Sequence, residues 1–69
     1  MDLILLLGRN IRTCREAKGL TQEQLALEAG MKRSYVSELE RGLRNPTVRA
    51  LGRLAEALKI EPQELLKTD

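Results

Sequence analysis

Apolar residues recur along this chain at helical intervals, not in strand alternation. Ile4, Leu7, Ile11 and Cys14 fall three and four positions apart and mark the inner face of a first helix. Its start is open between two places, near Asp2 or after Gly8. Gly19 suits its end, with Arg15 and Lys18 in the last turn beside the carbonyl pole. Thr21-Gln22-Glu23-Gln24 has the form of a capping box, a hydroxyl followed three residues later by an amide, and opens a second helix that Gly30 stops. A third helix is predicted from Lys32/Arg33 to Arg41, closed by Gly42. Past the polar loop Leu43–Pro46, Thr47 caps a fourth, whose apolar face is Val48, Leu51, Leu54, Ala55 and Leu58. Ile60-Glu61-Pro62 interrupts. Pro62 fits the first position of a fifth helix that ends near Lys67 and carries Leu65 and Leu66.

Residue usage supports this all-α reading. Leu, Ala, Glu and Arg dominate, Val and Ile are few, and Tyr35 is the only aromatic residue. No repeat or low-complexity segment interrupts the pattern. A length of 69 residues suits one domain over 1–69, small enough to gain from a second subunit. One cysteine and no histidine rule out an intrachain disulfide and leave too few soft ligands for zinc. Neither a metal nor a cofactor is expected, and no small-molecule ligand is indicated. Cys14 reads as a core residue of the first helix, and a lone thiol fits a reducing compartment. The apolar run Leu3–Leu7 is too short to span a bilayer, and Asp2 stands where a signal peptide would be positive. The expected location is therefore the cytoplasm, with no membrane partner.

Charge is unevenly distributed. Positions 9–53 hold ten Lys and Arg against five Glu, whereas positions 54–69 hold two Lys against four acids. A basic body with an acidic end suggests one side facing a polyanion and another role for the C-terminus. An enzyme is set aside: there is no His, no paired-carboxylate site and no Gly-rich phosphate loop.

The stretch Gln22–Arg41 is the most informative. Two short helices flank a tight turn at Gly30, where a positive φ is cheap only for glycine. Ala26 lies four residues before the glycine and allows two crossing helices to approach. Leu25, Val36 and Leu39 would fill the angle between them. This arrangement resembles the helix-turn-helix of the phage repressor and Cro family, often called the XRE family. The likeness extends to Arg15 and Gly19-Leu20-Thr21-Gln22, to Glu40-Arg41-Gly42, to Asn45-Pro46-Thr47 and to Leu54-Ala55-Glu56-Ala57-Leu58. It implies a five-helix lambda-repressor-like fold with the motif at about 22–41, and a sequence-specific regulator of transcription that binds double-stranded DNA.

Residue roles follow from the same resemblance. The third helix, about 33–41, becomes the recognition helix in the major groove. Lys32, Arg33, Ser34, Ser37 and Glu38 would meet base edges. Arg33 can donate twice to guanine, and Glu38 can accept from a cytosine amino group. Lys32 replaces the usual hydroxyl residue and is open to either a base or a phosphate contact. Gln22, Tyr35, Arg41, Arg44 and Asn45 would meet phosphates, Gln22 from the start of the second helix. Arg15 and Glu40 would form an ion pair that fixes how the recognition helix is presented. A homodimer on a roughly palindromic operator is expected, with Ile60, Leu65 and Leu66 at the interface and Leu3–Leu6 next in line. A restriction–modification controller and a phage-type or chromosomal repressor both fit. The alternative is a helix-turn-helix antitoxin or adaptor acting mainly through protein contacts.

Overall fold

Asp2 settles where the first helix begins. Its carboxylate accepts hydrogen bonds from the backbone N–H of Ile4 (2.9 Å) and Leu5 (3.3 Å), so α1 runs Leu3–Ala17 straight through Gly8. The computed structural model describes residues 1–68. Gly19, at φ 71°, turns the chain out of α1, and the Leu20 N–H closes the helix end on the Arg15 carbonyl at 3.1 Å. The capping box forms as the sequence predicts. Gln24 N–H donates to Thr21 Oγ1 at 3.0 Å, and Thr21 N–H donates to Gln24 Oε1 at 2.8 Å, opening α2, Gln22–Ala29. Gly30 (φ 70°) ends it. After Lys32, α3 covers Arg33–Glu40, and Gly42 (φ 74°) turns the chain away. Thr47 caps α4, Val48–Leu58, through the Ala50 N–H at 3.0 Å.

The last element differs from expectation. Pro62–Leu66 is a short 3-10 turn, so the described residues form four α-helices and this turn, not five α-helices. Five residues are too few to repay the nucleation cost of an α-helix. Another difference lies just before it. Lys59, without glycine's freedom, takes the left-handed conformation (φ 57°) at the end of α4, letting Ile60 N–H reach the Ala55 carbonyl.

All the helices and the turn share one core. Ile11, Leu25, Val36, Leu39, Leu54, Leu58 and Leu65 are its fully buried side chains. Cys14, Met31, Tyr35, Leu51 and Ile60 pack against it, partly covered. Each fully buried Leu stabilises the fold by roughly 1.5–3 kcal/mol relative to exposure. Leu6, expected with Leu3–Leu5 to offer surface to a second subunit, is instead buried within its own chain, and two further positions depart from the predicted pattern. Val48, assigned to the inner face of α4, is exposed, because it is the helix's first residue and precedes the turn that meets the core. Leu65, assigned to a dimer interface, is completely buried inside its own chain. It carries no free surface for a second subunit. Leu66, its neighbour, remains 41% exposed.

Gly8 explains how α1 and α3 come so close. A β-carbon there would collide with the Leu39 carbonyl oxygen and stand 3.0 Å from that of Glu40. The obstacle is backbone, which cannot swing aside. In an open helix, Gly to Ala gains up to about 1 kcal/mol. Here Gly8→Ala is expected to cost about 1–3 kcal/mol by overpacking. Chemical denaturation checks this, and a more stable variant would show that the crossing has room. Among the described residues, no helix is long and apolar enough to cross a membrane.

Candidate nucleic-acid interface

The two helices of the motif are held in register by charge as well as by packing. Arg15, near the end of α1, donates from Nε to Glu40 Oε2 at 2.6 Å and from Nη2 to Glu40 Oε1 at 3.1 Å. Its Nη1 donates to the Leu20 carbonyl at 2.8 Å, and Gln22 Nε2 donates to Glu40 Oε1 at 3.0 Å. The side chains of Arg15 and Glu40 are only 12% and 4% exposed. Among the described residues, no buried side-chain nitrogen or oxygen lacks a partner. The hydrogen bond to Glu40 raises the Arg15 pKa beyond its ordinary value, with burial opposing and the charges of Glu40 and Glu16 adding to the rise. The guanidinium is thus a permanent cation whose three nitrogens each donate at least one hydrogen bond. This network ties α1, the start of α2 and the end of α3 together.

Gln22 therefore has a partner that sequence reasoning did not give it. Its side-chain amide is engaged with Glu40, while the backbone N–H, the group expected at a phosphate, stays at the beginning of α2. Local spacing could not reveal this, because the contact spans 18 residues.

The exposed side of α3 carries the residues assigned to bases. Lys32, Arg33 and Ser34 are exposed at its N-terminal end, and Ser37 is half-buried one turn on. Lys32 takes the N-cap position but makes no side-chain cap bond. Arg33 has no ion-pair partner among the described residues, in contrast with Arg12, Arg15 and Arg44. Val36 and Leu39 point into the core, so the helix is divided cleanly between a buried and an open face.

Glu38, Arg44 and Tyr35 are brought together beside that face. Arg44 donates from Nε to Glu38 Oε1 at 2.8 Å, and its guanidinium lies 5.3 Å from the centre of the Tyr35 ring. That hydrogen bond, followed by the Glu38 charge, raises the Arg44 pKa. Arg41 and Asn45 are exposed nearby in sequence. The C-terminal segment is pinned elsewhere. Asn10 of α1 donates to the carbonyls of Leu65 and Lys67, both at 2.9 Å. Sequence reasoning missed Asn10 altogether, since a single amide beside an apolar stripe carries no local signal of a partner 55 residues away.

Known proteins are similar to this chain in sequence and fold. The helix-turn-helix family model HTH_3 matches residues 11–65. The chain is 47% identical over 66 residues to an uncharacterised HTH-type transcriptional regulator, y4dJ, of Sinorhizobium fredii, covering 96% of this chain and 86% of that protein. It is 38% identical over 66 residues to the control protein C.BamHI of Bacillus amyloliquefaciens, covering 94% of this chain and 82% of that one. Among solved structures, the restriction–modification controller C.AhdI of Aeromonas hydrophila superposes with a TM-score of 0.88 at 48% identity, over 90% of this chain and 94% of that one.

Proposed function

The chain belongs to the HTH_3 helix-turn-helix family of DNA-binding transcription regulators, and from that premise we propose that it reads an approximately palindromic operator as a homodimer, in the manner of a restriction–modification controller. The observation that carries the proposal is the open face of α3, where Lys32, Arg33 and Ser34 are exposed and Arg33 has no competing carboxylate among the described residues. A free guanidinium at the start of a groove-entering helix suits the O6 and N7 acceptors of guanine. Lys32, Ser34 and Ser37 then face neighbouring bases. Tyr35, Arg41 and Asn45 meet phosphates beside them, together with the backbone N–H of Gln22, and Arg44 offers its open Nη groups to the paired acceptors of a base edge beside α3.

The dimer would use Ile60 and Leu66 with the apolar residues at the start of α1. Leu3 and Leu5 are each 56% exposed, surplus apolar surface on a domain small enough to benefit from a partner. Two copies related by a two-fold axis would set their α3 helices about 34 Å apart, one turn of the duplex.

Selection of bound sequences from random duplexes tests the operator. Arg33→Ala is expected to weaken binding to the selected site by about 1–3 kcal/mol and to relax preference at one position in each half-site. Binding to scrambled duplex should change much less. An equal loss on every sequence would make Arg33 a phosphate contact. Binding insensitive to salt would favour an adaptor role over operator recognition.

A further inference from the structure

The geometry points to Glu38 as a positioning residue that sets operator specificity through Arg44, not as a reader of bases in its own right. The inference rests on the operator-reading function proposed above. A carboxylate beside a surface that must approach phosphates repels them, and that penalty needs a compensating role. In the structure the Glu38 carboxylate lies 2.8 Å from Arg44 Nε, and the same guanidinium lies over the Tyr35 ring. One face of the guanidinium and one N–H are thereby fixed. The Nη groups, which match paired acceptors, form no hydrogen bond among the described residues.

The backbone makes this pairing possible. Residues six apart on a continuous helix do not face each other. Here Gly42 reverses the chain at φ 74°, Gly42 N–H reaches the Leu39 carbonyl at 3.1 Å, and Leu43 N–H reaches the Glu38 carbonyl at 2.9 Å. The loop is thus fastened to the backbone of the residue whose side chain holds Arg44. A β-carbon on Gly42 would also strike the Leu5 side chain, so α1 braces the turn from behind. Arg44 and Glu38 side chains are 54% and 37% exposed, so their ion pair contributes little to folding. Its consequence is orientation: a long, flexible side chain is held in one place before DNA arrives, and less freedom is lost on binding.

The test is a double-mutant cycle read as discrimination, the ratio of affinity for the selected operator to affinity for a scrambled duplex of equal length. Glu38→Gln removes the charge and keeps the size. It is expected to lower discrimination by about threefold to tenfold, the value of one pre-ordered side chain. Arg44→Ala should lower it at least as far, and Glu38→Gln should add nothing in the Arg44→Ala background. Thermal midpoints should match wild type throughout, which separates positioning from a folding role. If Glu38→Gln costs the same factor with and without Arg44, Glu38 contacts DNA directly and the proposal is overturned. A wild-type protein with no preference for any duplex would overturn operator reading itself, a different result from a discriminating wild type with additive mutants.

Discussion

Glu40→Ala is expected to destabilise the fold by about 3–5 kcal/mol, the cost of leaving a buried charge without its partner. The reason lies in what remains. Arg15, whose side chain is only 12% exposed in the intact protein, would keep one N–H on the Leu20 carbonyl and have two facing a void. Gln22 would lose its acceptor as well. A domain of this size has a total stability of only several kcal/mol, so much of the population would be unfolded at moderate temperature. Arg15→Ala should be costly too, since it isolates the Glu40 carboxylate. The double variant should recover part of the loss, because neither charge is then stranded. Denaturant unfolding of all four proteins gives the coupling energy. Additive losses would show that the two groups act independently. DNA affinity measured below the unfolding range should also fall in both single variants, because the pair anchors the end of α3 to α1.

Leu65→Ala and Leu66→Glu should separate two neighbours that the sequence leaves equivalent. Leu65 is completely buried, and truncating it is expected to cost about 2–5 kcal/mol, a transfer loss plus the cavity left behind. Leu66 points the other way, since successive residues in a 3-10 turn lie about 120° apart. Leu66→Glu should leave the thermal midpoint unchanged at dilutions where the protein is monomeric. In sedimentation equilibrium at micromolar concentration it should shift the population towards monomer. A Leu65→Ala loss no larger than about 0.5 kcal/mol, the range of surface substitutions, would contradict its place in the core. A Leu66→Glu variant that still dimerises like wild type would move the interface to Leu3 and Leu5.

Much of the local structure was legible because its signals are local. Thr21 with Gln24, Thr47 before α4, and Gly19, Gly30 and Gly42 at helix ends each act within a few residues, where covalent proximity leaves few alternatives. The Arg15–Glu40 pair was named too, but from family resemblance and not from spacing. The site was legible in part. The exposure of Lys32, Arg33 and Ser34 at the start of α3 could be read from the sequence, but the side-chain bonds of Gln22 to Glu40 and of Glu38 to Arg44 could not.

The amino-acid sequence alone determined α2, α3 and α4, the caps at Thr21 and Thr47 and the turn of the motif, because hydrogen bonds and periodicity over three or four residues are encoded where they act. The tertiary structure alone decided which of Leu65 and Leu66 is buried, why position 8 inside α1 has no room for a β-carbon, and where Asn10 and Gln22 spend their amides. Each of those depends on a partner brought near by packing. A leucine, a glycine or an amide carries the same local propensity whether or not a carbonyl from a distant segment arrives beside it.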